Sequence, residues 1–161
     1  MVVEVESFEQ FYRREYRSVL ALAYALAGRT WIAEELSQEA FAAAYRSWDD
    51  IENPGGWVRT AVTNKTHSWR RRRYAEVGAL TRIGHGRTSV EDSIPAETAE
   101  FWAEVRKLPN RQAQAVALYY LEDRPTDEAA AILGCSASTF REHLMRARRT
   151  LADRFDLEED S

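Results

Sequence analysis

Two stretches of the chain concentrate the residue types that bind phosphates and bases. From Trp57 to Arg73, six cations, Arg59, Lys65, Arg70, Arg71, Arg72 and Arg73, occur without a carboxylate and are interleaved with Trp57, His67 and Trp69. Guanidinium and ammonium groups contact phosphates, and indole rings stack on unpaired bases. A second run carries Arg141, Arg146, Arg148, Arg149 and Arg154 against only Glu142 and Asp153. These patches count for more than the formal net charge of −4 over 161 residues, which averages them with a first third where acids outnumber bases about two to one. A charge run is often only a solvated helix face. An acid-free run with tryptophans is less easily explained that way.

Covalent and metal chemistry find little support. His67, His85 and His143 stand at no ligand or triad spacing to Cys135 or to carboxylates. Gly84-His85-Gly86 lacks the flanking strand and helix of a phosphate loop. The single cysteine closes no internal disulfide and fits a small apolar plug in a turn. No catalytic residue, metal or cofactor is expected. With 45% hydrophobic and 30% charged residues, the chain can bury one core or two small ones. It shows no apolar run of membrane-spanning length and no export signal, which predicts a cytoplasmic protein without membrane insertion.

The elements that must position these residues are helical. Ser7 with Gln10 forms a capping-box pattern, and Phe8, Phe11, Tyr12, Tyr16, Val19, Leu20, Ala23 and Leu26 follow at helical spacing up to Gly28. Thr30 is expected to cap a second helix with the stripe Ile32, Leu36, Ala40, Phe41, Ala44 and Trp48. Residues 49–56, with Pro54, Gly55 and Gly56, read as a loop. A third helix is expected from Trp57 to Tyr74, with Trp57, Ala61 and Val62 on its apolar side. Trp31, Trp48, Trp57 and Trp102 read as core, whereas Trp69 can pack inward or stack on a base. Three helices with short connections make one bundle. Residues 75–95 hold three of the seven glycines and read as a linker, long enough when extended (about 70 Å) for the halves to contact separated DNA sites.

Helical spacing resumes at Phe101, Trp102, Val105 and Leu108, breaks at Pro109, and returns in Ala113, Val116, Ala117, Tyr120 and Leu121. After Pro125 comes a short helix from Thr126 to Leu133, a Gly134-Cys135-Ser136 turn, and a longer helix from Ala137 to Phe155, which together make a helix-turn-helix. Ser136 caps the second helix and Phe140, Leu144, Ala147 and Leu151 form its buried stripe. Ala137, Ser138, Arg141, Glu142, Met145, Arg146, Arg148 and Arg149 are left outward or at the flank, small and polar ones nearest the N-terminal end, as base reading in a groove requires.

With these residues in place, the chain resembles an extracytoplasmic-function (ECF) sigma factor of the sigma-70 family over nearly its whole length. Ala33-Glu34-Glu35-Leu36-Ser37-Gln38-Glu39-Ala40-Phe41 resembles the family's acidic segment that docks on RNA polymerase. Trp57 to Asn64, with Ser68 to Arg73, is similar to the segment that opens and reads the minus-ten promoter element. Leu108-Pro109-Asn110-Arg111-Gln112 resembles the start of the fourth sigma region, and Ala130 to Ser136, Thr139 and Arg146 to Arg149 its helix-turn-helix for the minus-thirty-five element. Pro125 departs from the family's Ser or Thr cap, and Arg141-Glu142-His143 from its basic pattern, so promoter words do not transfer.

The resemblance implies an all-α protein of two small helical domains joined by a flexible linker: residues 1–75 as sigma region 2, 76–96 as linker, 97–161 as sigma region 4. It implies a sigma factor that binds core RNA polymerase, through the beta and beta-prime subunits, and directs promoter-specific initiation without catalysis of its own. Polymerase binding falls to Glu34, Glu35, Leu36, Gln38 and Glu39. Minus-ten DNA, duplex and single-stranded, falls to Asn53, Trp57, Arg59, Thr60, Asn64, Lys65, Trp69, Arg70, Arg71, Arg72 and Arg73, with residues 52–56 as the loop that captures a flipped base. Minus-thirty-five DNA falls to Ser136, Ala137, Ser138, Thr139, Arg141, Glu142, Met145, Arg146 and Arg149. Many relatives are restrained by an anti-sigma factor, a further partner the resemblance allows. The acidic stripe explains how a DNA reader carries net negative charge: it suits a basic protein partner. The tail 156–161 is too short for an added regulatory domain.

Overall fold

The computed structural model describes residues 5–77 and 98–155. The expected linker at 76–96 lies outside them except for its first two residues, and so do His85 and the acidic tail. Helix α1 (Phe8–Ala27) starts at the expected capping box: Gln10 N–H donates to Ser7 Oγ (3.1 Å) and Ser7 N–H to Gln10 Oε1 (2.9 Å). It ends at Gly28, whose φ of +82° suits glycine. A Cβ there would also lie 2.7 Å from Arg106 Nε, so the Arg106 side chain would have to shift.

Helix α2 (Thr30–Arg46) starts with Thr30 inside it, not as its cap; Arg29 holds the cap position in extended backbone and supplies no side-chain bond. The chain reverses within Gly28 and Arg29, which leaves no further residue to serve as a polar cap. Helices α1 and α2 meet in an aromatic seam, with Phe11 and Phe41 centroids 5.6 Å apart and Tyr12 edge-on to Phe41 at 5.0 Å. Trp48 packs against this seam and Trp102 is buried, both as expected. Trp31 is not core. It is 56% exposed because its neighbour Ile32 takes the inward direction.

A 3₁₀ turn at Trp48–Asp50 is followed by helix α3 (Pro54–Val77), which begins three residues before the expected Trp57. Proline suits a first helical turn, where its missing N–H has no intrahelical partner. Asn53 completes that turn: its carbonyl accepts Trp57 N–H (2.9 Å) and its Oδ1 accepts Gly56 N–H (3.4 Å). A side chain at Gly56 would meet Asn53 Nδ2 at 2.9 Å. With the register set this way, Val58 and Val62 enter the core, and Trp57 is 37% exposed instead of buried.

The second half contains α4 (Ala99–Val105), α5 (Asn110–Val116) continued by a wide π turn at Ala117–Leu121, α6 (Thr126–Leu133) and α7 (Ala137–Phe155). The start of α6 directly after Pro125, the cap of Ser136 Oγ on Thr139 N–H (3.0 Å) and the buried stripe Phe140, Leu144, Ala147 and Leu151 match expectation. Cys135 is half-buried against the core. Tyr120, expected in an apolar stripe, is exposed. Among the described residues no helix is long and apolar enough to cross a membrane.

The two helical halves are present, but they are not held apart. Helix α6 lies on α3 and the π turn lies on α1, so that one cluster of buried side chains runs from Phe11 to Leu151. Burial of shared apolar surface favours this arrangement over separated domains.

Candidate nucleic-acid interface

The outer surface of α7 is the simplest candidate. Burial of Phe140, Leu144, Ala147 and Leu151 turns Ser138, Arg141, Glu142, Met145, Arg146 and Arg149 to the exterior, with Ser136 and Thr139 at the helix start and Ala137 half-buried. Arg146 Nη2 pairs with Glu142 Oε2 at 2.7 Å on this open face. Such an exposed pair is worth about 1 kcal/mol at most, so it yields easily to a stronger contact. Arg148 is differently employed. Its Nε donates to Tyr120 hydroxyl (2.6 Å), and its guanidinium stands 5.4 Å from the Tyr119 ring centroid, which ties α7 to the end of the π turn. The Tyr120 hydrogen bond raises the Arg148 pKa further.

On α2 the acidic face is open. Glu34, Glu35, Gln38 and Glu39 are exposed, and Leu36 is buried beneath them. Gln38 Nε2 donates to Tyr12 hydroxyl (3.1 Å), and Glu39 lies 3.4 Å from Lys65 Nζ. The structure thus brings together four of the five expected polymerase-binding residues and assigns the fifth to the core.

The expected minus-ten residues on α3 divide into two groups. Asn53, Trp57, Asn64, Arg71, Arg72 and Arg73 are exposed, and Lys65, Trp69 and Arg70 are half-buried. Trp69 packs on Ala27, Ile32 and Leu36, and the Arg73 guanidinium stands 5.6 Å from its ring centroid. His67 is half-buried, and its pKa is lowered by burial and by Arg71, Arg111 and Arg70. Arg59 and Thr60 are engaged within the fold. Arg59 is 2% exposed. Its Nε donates to Glu122 Oε1 and Oε2 (2.7 and 3.0 Å), Nη1 to Gly55 carbonyl (3.1 Å), and Nη2 to Glu15 Oε1 and Ser18 Oγ (2.8 and 2.9 Å). Thr60 Oγ1 donates to the Ile132 carbonyl (2.8 Å), and Gln114 Nε2 donates to the Thr63 carbonyl (3.2 Å). In this arrangement the second half covers part of the α3 surface expected to face DNA.

Sequence reasoning did not find the partners in that contact: Glu15, Glu122, Arg124, Gln114 and the Ile132 carbonyl. Glu15 is 44 positions from Arg59 and Glu122 is 63. No local spacing relates them. Glu122 is delivered by the π turn, where its N–H donates to the Ala117 carbonyl (3.2 Å), and Asp123 follows with φ 55°. Arg124 Nε then braces the Glu122 carboxylate at 2.8 Å. A cavity of about 840 Å³ opens beside this network, lined by Asn53, Trp57 and Thr60 from one half and by Glu128 and Ala131 from the other. The segment expected to capture a flipped base therefore faces α6. Among the described residues no cluster of ligands fits a metal ion.

Residues 11–76 match the family Sigma-70 region 2, and residues 98–151 match Sigma-70, region 4. The chain is 32% identical over 143 residues to the ECF RNA polymerase sigma factor EcfG of Rhodopseudomonas palustris, covering 84% of this chain and 77% of the relative. The chain belongs to the ECF RNA polymerase sigma factors of the sigma-70 family. It is also 30% identical over 159 residues to an RNA polymerase sigma-E factor of Streptomyces avermitilis, covering 95% of this chain and 87% of that one. Some relatives are longer: the chain spans 39% of sigma factor RfaY from Xanthomonas campestris and 61% of SigE from Mycolicibacterium smegmatis. Among solved structures, the sigma factor RpoE of Bartonella quintana, in complex with the anti-sigma factor NepR, superposes with a TM-score of 0.75 at 25% identity, covering 96% of this chain and all (100%) of that one.

Proposed function

We propose that this ECF sigma factor binds core RNA polymerase through the exposed face of α2 and directs it to promoters, reading the minus-thirty-five element with α7 and the minus-ten element with α3 and the turn before it. Residues 1–75 form the region 2 unit, 76–96 the linker and 97–161 the region 4 unit. The observation that carries this reading is the outer face of α7, where polar and cationic side chains stand open while every member of the apolar stripe is buried. The chain contributes recognition and strand opening, and the polymerase supplies the covalent chemistry. Engagement of minus-ten DNA by Thr60 requires α6 to leave α3, and engagement by Arg59 requires loss of its bonds to Glu122 of the second half and to Glu15 and Ser18 of the first. The likeness to a sigma factor solved with an anti-sigma factor supports a protein inhibitor as a further partner.

The test is transcription from a cognate promoter, selected by sequencing DNA bound by the holoenzyme, with purified core polymerase and the chain added back. Initiation that depends on the chain is expected. Duplex DNA retardation by the chain alone, with no initiation, would instead mark a freestanding helix-turn-helix regulator.

A further inference from the structure

A second cavity, of about 400 Å³, lies where the end of α1 and the middle of α3 meet the end of α4. That volume falls within the range of small-molecule sites. Its polar lining is cationic: Arg29, Arg70 and Arg73 from the first half, Arg106 and Lys107 from the second, around Trp69. No carboxylate lines it among the described residues.

Helix capping explains only part of this cluster. Arg106 Nη1 donates to the Ala25 carbonyl (3.0 Å) and Arg70 Nη1 to the Leu26 carbonyl (3.5 Å), which neutralises the negative end of α1, while Arg70 Nη2 donates to the Arg106 carbonyl (2.5 Å) after α4. Arg29, Arg73 and Lys107 make no such contact with the helix end. Arg73 rests over the Trp69 ring, and Lys107 pairs with Glu104 (3.0 Å) on an open surface outside the cavity lining. Burial lowers the Arg106 pKa, Tyr24 opposes that, and the charge of Arg70 adds a smaller lowering.

We infer that this cavity is a binding site for a polyphosphate group, held jointly by Arg29 and Arg73 of the first half and Arg106 and Lys107 of the second. Guanidinium groups hold phosphate oxygens through paired hydrogen bonds, and a polyphosphate presents several such oxygens to cations that converge from both halves. Since both halves contribute, a bound polyphosphate stabilises the packed arrangement and opposes exposure of Arg59 and Thr60. The assignment of Arg59 and Thr60 to DNA rests on the proposed sigma function, as does that of Trp69, Arg70 and Arg73 in the cavity lining; the part played by Arg29, Arg106 and Lys107 does not.

The experiment is isothermal titration of the full chain with inorganic triphosphate at fixed ionic strength. Parallel titrations use ATP, sodium sulfate and a single-stranded oligodeoxynucleotide. Saturable sub-millimolar binding of triphosphate is expected, with a rise in thermal midpoint. The double variant Arg29→Ala, Lys107→Ala should weaken it about tenfold or more while keeping its helical circular dichroism. Equal affinity for ATP would place the recognised group in the phosphates, and tighter ATP binding would identify a nucleoside polyphosphate as the source; both support the site. Absence of triphosphate binding, equal affinity for sulfate, unchanged affinity in the folded double variant, or binding of the oligonucleotide alone would overturn it. The same preparation is assayed for promoter-directed transcription, so that loss of the anion site and failure of the sigma reading are recorded separately.

Discussion

Replacing Glu122 by Gln tests the contact that joins the two halves. The Glu122 side chain is 4% exposed and receives Arg59 Nε on both oxygens, at 2.7 and 3.0 Å, as well as Arg124 Nε at 2.8 Å. The amide keeps the shape, removes the charge and turns one acceptor into a donor facing a guanidinium. Removing one partner of a buried pair costs about 3–5 kcal/mol. Glu15 remains 2.8 Å from Arg59 Nη2, so the lower end, about 3 kcal/mol, is the appropriate figure. This lowers the ratio of packed to separated halves roughly 150-fold. Urea unfolding should show the loss directly. Dipolar distances between spin labels at Ala42 and Asp153, both exposed, should gain a longer population in a Cys135→Ala background. An unchanged unfolding free energy together with unchanged distances would refute the argument that this ion pair holds the halves together.

Glu35→Arg, on the exposed face of α2, should weaken association with core polymerase while leaving the thermal midpoint unchanged; co-purification at undiminished yield would count against that face. Arg146→Ala should reduce affinity for the upstream promoter element by about 1–3 kcal/mol in a salt-matched binding assay, as a bidentate base contact would require. His67 has a folded pKa below its ordinary 6.5, so the unfolded chain binds more protons as pH falls below that value, and the folded state loses stability there. His67→Gln should therefore flatten the decline in thermal midpoint just below pH 6.5, before carboxylates titrate; an unaltered slope would exclude His67 as its source.

Much of the fold was legible because its determinants are local. Capping at Ser7 and Ser136, termination at Gly28 and Gly134, and the spacing of Phe140, Leu144, Ala147 and Leu151 each involve residues within a few positions of one another. The start of α3 was less legible, since Pro54, Gly55 and Gly56 suit both a loop and a first helical turn; the bonds of Asn53 decide between them. Trp31 and Trp57 read as core because each lies within or beside an apolar stripe, but Ile32 and Val58 occupy the inward positions.

The sequence by itself determined the helices, the acidic face of α2, the cationic run of α3 and the open face of α7, because helical periodicity converts spacing directly into direction. Only the tertiary structure decided that Arg59 and Thr60 are engaged by Glu15, Glu122 and Ile132, and that Arg29, Arg73, Arg106 and Lys107 share one cavity. Those relations depend on how one helical half rests on the other. That packing arises from the summed burial of many side chains distant in sequence, which no local pattern encodes.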